Sequence, residues 1–216
     1  MTNPDLPSHG AVLQWGGRLL AIAAGLFLIS IALEYVIGWI GTARPRNEDL
    51  TFILEHWSEL QAIWSLQTLA YGLFMIASLL LFKASRGAIA VVWAAFLLLL
   101  GLAAVMMVVT LLVYRPLLEL HLADPESARP MLEMIGSLYR VGRAGLLLFL
   151  PLLLVEMVRP PSLIRPVIGW SSIGIVVGLL AVGALTALPL KLLGAAWFLL
   201  PLVLGWAYAR RSAGAV

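Results

Sequence analysis

Glu34 stands inside an apolar run from Leu19 to Ile40, and an ionisable side chain in such a run is costly unless it meets a partner. The spacing of the other polar residues supplies one. Glu34 lies sixteen residues past Arg18, Gln67 sixteen before Lys83, and Arg143 sixteen before Arg159. If those basic residues mark one membrane boundary, a helical rise of 1.5 Å per residue puts all three polar side chains roughly 24 Å above it. Tyr139 and Arg140 fall about one turn farther out and Tyr71 about one turn deeper. Glu34, Gln67, Tyr71, Tyr139, Arg140 and Arg143 are therefore read as one polar cluster, with Glu34 and Arg143 as a direct or water-bridged pair. Two uses fit it. The cluster fixes helix packing and register, or it lines an outward-opening pocket among the first, second and fourth membrane helices. A lipid headgroup or small anion would suit the second use, because guanidinium groups bind phosphate or carboxylate in a bidentate way.

The remaining ionisable residues suggest less. Glu156 falls within a turn of the inner boundary, where snorkelling and pairing with Arg159 account for it. Lys191 reads as an interfacial anchor. His56 and His121 sit in the segments Glu55 to Glu59 and Glu119 to His121, where metal binding is chemically possible but the ligands are few and their spacings unmatched. No histidine lies within a span, so bis-histidine haem has no ligands there. Gly-x-Ser-x-Gly, His-Glu-x-x-His and Walker patterns are missing. Ser30, Ser78, Thr110, Ser171, Ser172 and Thr186 are isolated hydroxyls of the kind that bond a backbone carbonyl. No catalytic residue, metal ligand or cofactor is assigned.

The elements that must position this cluster follow from composition. Hydrophobic residues make up 62% of the 216 and charged residues 12%, far from the balance of a water-soluble domain. Six apolar stretches approach the length of about 20 residues that a crossing needs: 19–40, 63–82, 88–114, 140–158, 167–188 and 190–209. The expected fold is all-α, a polytopic membrane bundle of six transmembrane helices forming a single domain over 1–216. The third stretch is longer than one crossing needs, which implies tilt or a protruding end. The last two meet in a tight hairpin at Pro189. Two polar outer loops, 41–62 and 115–139, carry helix-start signals. In the first, Asn47 caps a surface helix; in the second, Asp124-Pro125-Glu126-Ser127 opens a helix and Pro130 begins or kinks the way into helix four.

Short connectors with Lys83, Arg86, Arg159 and Arg165, together with Arg18, Arg210 and Arg211, follow the positive-inside rule with both termini cytoplasmic. The N-terminal run is read as a retained helix rather than a signal peptide. The absence of cysteine removes disulfides and thiolate chemistry. The formal charge of +3 comes without a basic block, so nucleic acid is not an expected partner. Small residues recur at four-residue spacing as Gly17, Ala21, Gly25 and as Gly174, Gly178. Packing within the chain is the expected use, with homodimerisation the alternative.

Three segments carry a family resemblance: Arg18 to Ser30 (RLLAIAAGLFLIS), Ala70 to Met75 (AYGLFM), and Pro161 to Gly174 (PSLIRPVIGWSSIG). The last, a connector leading into a Trp- and Gly-rich helix, is the most specific. In these the chain resembles a family of uncharacterised bacterial six-helix membrane proteins catalogued as a domain of unknown function. The resemblance implies the fold and a bacterial inner membrane, and brings no site residues. The expected function is a non-enzymatic module binding lipid or a small ligand, or an accessory subunit of a membrane complex. Expected partners are membrane lipids, a larger complex or a second copy. A membrane enzyme acting on a lipid-linked substrate and a compact transporter are the alternatives.

Overall fold

A computed structural model describes residues 9–40, 45–158, 164–186 and 195–210, and all of its regular structure there is helical. The helices are α1 (His9–Val36), α2 (Arg46–Glu55), α3 (Trp57–Lys83), α4 (Ala88–Ala123), α5 (Pro125–Ala144), α6 (Phe149–Val158), α7 (Pro166–Thr186) and α8 (Leu199–Arg210). A 3₁₀ turn, Gly145–Leu148, joins α5 to α6. Four stretches are long and apolar enough to cross a membrane: α1, α3, α4, and the continuous run Pro125–Val158. The protein is a membrane helix bundle.

The main packing runs α8 on α1, α1 on α3, α3 on α4 and α4 on α5. Its core is aromatic. Phe27 stacks on Phe198 at 4.4 Å, and Phe74, Phe96, Phe149 and Trp93 continue the column toward Tyr208. Fully buried rings of this size contribute both area and edge-to-face geometry. Two carboxylates, Glu34 and Glu156, are also buried in the bundle.

Small residues set how close the helices come. A Cβ on Gly17 would lie 2.6 Å from Ala209 N and Gly205 O, and one on Gly205 2.6 Å from Ala21 N. The α1 stripe is thus used within the chain at Gly17 and Ala21, where α8 crosses it. Gly25 faces open space, and so do Gly174 and Gly178. The expected packing use of the α7 pair is corrected: among the described residues no neighbouring helix fills that face.

The polar segment 115–139 is not a loop. α4 runs on to Ala123 and α5 starts at Pro125, so the two form a hairpin with Asp124 at its tip. The helix start at Asp124-Pro125 is as expected, but the residues ahead of it belong to α4, and the two helix ends bury Leu117, Ala128 and Ile135 against each other. Pro130 lies inside α5. At about 1.5 Å per residue, the 36 residues of α4 reach about 54 Å, so the protruding-end expectation for the third stretch fits. In the segment 41–62 a helix forms as expected, but it begins at Arg46 after Pro45, two residues earlier than a cap at Asn47 requires. α3 then starts at Trp57, with Leu60 fully buried. Pro189, Arg159 and Lys191 lie outside the described residues.

The cap at Asp124 is as expected. Its Oδ2 accepts from the Ser127 hydroxyl at 2.6 Å and its Oδ1 from Ser127 N at 3.4 Å. The Ser127 hydroxyl bond first, and the backbone bond second, hold the Asp124 carboxyl below its usual range. A carboxyl lowered in the folded state stabilises it above the unfolded pKa, and the contribution is lost as pH falls through the lowered value. Asp124→Ala should speed amide exchange in the first turn of α5 at neutral pH. In the unchanged protein the same fraying should appear only on acidification.

Candidate functional site

The C-terminus of α1 places Glu34. Gly38 adopts φ 79°, Trp39 N donates to Glu34 O at 2.9 Å and Gly38 N to Tyr35 O at 3.0 Å. This 6→1 and 5→2 pattern is a Schellman cap, in which glycine takes the left-handed position without a Cβ penalty. It turns the chain back over the helix end, so that Trp39 and the buried Ile40 close over Glu34. α2 continues the roof: Phe52 stacks on Trp39 and on His56, at 6.1 and 4.1 Å.

Beneath this roof lies a cavity of about 270 Å³ between α1, α3, α4, α5 and the start of α8. Glu34 Oε1 accepts from Gln67 Nε2 at 2.9 Å and from Trp64 Nε1 at 3.0 Å. All three side chains are less than 9% exposed. α4 contributes Met107, Thr110 and Tyr114, whose i, i+3, i+7 spacing puts them on one face. Thr110 is turned back to Met106 O. α5 contributes Ile135, Gly136, Tyr139 and Arg143. The Arg143 guanidinium lies 5.5 Å from the Tyr139 ring centre, an attractive cation–π geometry. Phe198 closes the far side.

Of the six residues expected in the cluster, the structure brings five together. Glu34, Gln67, Tyr139 and Arg143 line the cavity. Tyr71 lies buried beside it, with its hydroxyl 3.4 Å from that of Tyr139 and its ring edge against Phe27. Arg140 is the exception. It is exposed and donates to Ser137 Oγ at 3.1 Å on the outer face of α5. Gly142 explains the split: a Cβ there would lie 2.6 Å from Ala103 N, so this face of α5 is pressed against α4. At 100° per residue Tyr139 and Arg143 stand about 60° and 100° to one side of Gly142, while Arg140 stands about 160° away.

Glu34 and Arg143 share the cavity but form no direct ion pair; the ion pairs among the described residues are Arg115 with Glu119 and Arg129 with Glu133. The direct version of the expected pair is therefore replaced by a shared cavity, across which a water or ligand could bridge. Sequence reasoning missed Trp64, Trp39, Tyr114 and Phe198. Trp64 precedes Gln67 by three residues and so shares its helix face, a signal that was available. Trp39 depends on the chain reversal at Gly38 and Phe198 on the turn ahead of α8, neither of which hydropathy reveals.

Below the cavity, two irregularities interrupt the helices. The 3₁₀ turn follows Arg143 within two residues, and restarting the helix at Phe149 places Pro151 in a first turn, where its missing N–H removes no helical bond. Trp197 and Phe198 form a turn ahead of α8. Phe198 in that turn is buried and adjoins the cavity.

Glu156 differs from the snorkelling expectation, while its expected partner Arg159 lies outside the described residues. Glu156 is 3% exposed and accepts from the Tyr208 hydroxyl at 2.8 Å. Burial beneath α8, rather than access to the interface, decides its environment. His56 Nδ1 faces Phe52 O at 3.2 Å, and His121 Nδ1 is buried without a hydrogen-bond partner. Among the described residues no three His, Asp or Glu side chains gather closely enough to hold a metal. No family model, curated protein or solved structure matches the chain.

Proposed function

We propose that the protein is a non-enzymatic integral membrane protein that holds a small ligand in the cavity between Glu34 and Arg143. The carrying observation is the enclosure of a carboxylate, a carboxamide and a guanidinium around about 270 Å³ of space, under a roof of Trp39 and Ile40. A cluster serving packing alone would gain by closing, because interiors are packed to crystal density and a void forfeits contacts. The ligand that fits carries both a hydrogen-bond donor for Glu34 and an anionic or acceptor group for Arg143, with apolar surface for the surrounding rings. Lipid headgroups and small zwitterions belong to this class.

Extraction of the protein into native nanodiscs, followed by mass spectrometry of small molecules released on denaturation, tests the proposal. A molecule bound by the unchanged protein and lost on Arg143→Gln is the expected result. An empty native preparation, with no thermal shift from any lipid headgroup or zwitterion supplied, would overturn it.

The proposal includes six spans, the sixth ending in α8, and a bacterial inner membrane with both termini cytoplasmic. The exposed Arg18, Lys83, Arg86, Arg165 and Arg210 support that orientation, since positive charge favours the cytoplasmic side. In this cysteine-free chain, Ser85→Cys should resist a membrane-impermeant thiol reagent in intact cells, while Ser58→Cys and Ser127→Cys should react. The opposite labelling would invert the protein. A second reading, compact transport, is favoured by the turn at Trp197 and Phe198 on the cavity wall, because transporters build midplane sites from interrupted helices. Flux of the identified ligand through reconstituted vesicles separates the two readings.

A further inference from the structure

A second concave surface lies at the opposite end of the bundle from the Glu34 cavity. α1, α7 and α8 enclose an open groove of about 650 Å³ on the outside of the protein, walled by Ile22, Ile168, Val203 and the indole rings of Trp15 and Trp206. Arg18 also lines it, with its aliphatic stem, so the lining itself is apolar. Arg18 lies over the Trp15 ring at 5.0 Å and Arg210 over the Trp206 ring at 4.0 Å. Arg165 is exposed three residues ahead of Ile168. The groove is thus apolar along its length, and two arginines stack on indole rings of its wall. Neither described ion pair includes these arginines. Among the described residues the carboxylate of this end, Glu156, is buried within the bundle and bonded to Tyr208.

We propose that this groove is a binding site for an anionic glycerophospholipid, with an acyl chain against Ile22, Ile168 and Val203 and the headgroup phosphate on Arg18 and Arg210. Charge complementarity selects this occupant. A neutral apolar partner would leave the guanidinium groups unused, and an acidic soluble partner would leave the apolar floor unfilled. The ring contacts keep Arg18 beside Trp15 and Arg210 beside Trp206, two rings of the groove wall, and a guanidinium fork matches phosphate oxygens. Trp and Arg also form general interfacial belts, so the site must be distinguished from diffuse surface charge. Lys83 and Arg86 are exposed in the α3 to α4 connector, do not line the groove, and provide that control.

The protein is reconstituted in phosphatidylcholine nanodiscs doped with phosphatidylglycerol or phosphatidylcholine carrying brominated chains, and tryptophan quenching is recorded. The expected result is stronger quenching by brominated phosphatidylglycerol, confined to the signal lost on Trp15→Phe with Trp206→Phe. Arg18→Gln and Arg210→Gln should each lower this preference about fivefold, the effect of one basic residue near an anionic membrane surface. Lys83→Gln with Arg86→Gln should leave it in place, and Arg18→Lys with Arg210→Lys should retain part of it in a protein of unchanged charge. Equal quenching by both lipids would overturn the site. So would a preference lowered equally by the Lys83 and Arg86 substitutions, which means diffuse attraction, or a groove closed to both lipids by a second copy, which crosslinking between Trp206→Cys protomers would reveal.

Discussion

Glu34→Leu is expected to cost about 2 to 4 kcal/mol of stability in detergent or bicelles, whereas Glu34→Gln should cost less than half as much. The leucine removes one acceptor and leaves two buried donors, Trp64 Nε1 and Gln67 Nε2, without the oxygen they share. An unsatisfied buried donor costs about 1 to 3 kcal/mol. Hydrogen bonds between membrane helices measure lower, near 0.6 kcal/mol on average, because the unfolded chain also finds partners in the bilayer. Glutamine keeps an acceptor oxygen where Oε1 stands, and gives up the charge and the second carboxylate oxygen. Arg143→Gln adds a second axis. If the two charges sense each other across the cavity, the double substitution Glu34→Gln with Arg143→Gln should lose less than the sum of the single ones. Additive losses would mean that the cavity separates them completely. Equal losses for leucine and glutamine at position 34 would assign the stabilisation to charge and not to the paired hydrogen bonds.

Depth was legible in the sequence because a helix rises by a constant amount per residue, and counting from Arg18, Lys83 and Arg159 set Glu34, Gln67 and Arg143 at one level. Rotation was not. Arg140 and Arg143 differ by less than one turn in height, yet one lines the cavity and the other bonds Ser137 on the outside. The decisive residue is Gly142, whose missing side chain lets Ala103 approach, and nothing in its local sequence says which helix it will meet. Polarity was also an incomplete guide to secondary structure. The ends of α4 and α5 are polar because they extend beyond the apolar windows, but Leu117, Ala128 and Ile135 give them a shared buried seam, and a helix needs only one such face. Glu156 shows the converse error. Its position beside the boundary suggested snorkelling, but the tyrosine that buries and bonds it comes from α8, fifty-two residues away.

The site also depends on a contact remote from it, and Gly17→Val should produce the largest loss of folded protein among single substitutions of the α1 surface. Gly17 and Gly205 face each other where α1 crosses α8, with prospective Cβ positions 2.6 Å from the opposing backbone. Side-chain overpacking usually costs about 1 to 3 kcal/mol because neighbouring rotamers can shift. Here the obstacles at Gly17 include Ala209 N and Gly205 O, which move only with the whole helix. Separating α1 from α8 would also loosen Phe27 from Phe198, whose rings stack at 4.4 Å on the cavity wall, so a ligand in the cavity should bind more weakly even in the fraction that folds. Gly25→Val, on the same helix but facing open space, provides the matched control for propensity and side-chain size. A fluorescence-detected gel filtration profile and thermal melt of the two variants decide the matter. Gly17→Val should lose its monodisperse peak or melt far below the unchanged protein, and Gly25→Val should melt close to it. Similar behaviour of the two would show that the α1–α8 contact contributes little to assembly, and that the stripe in α1 serves some surface other than α8.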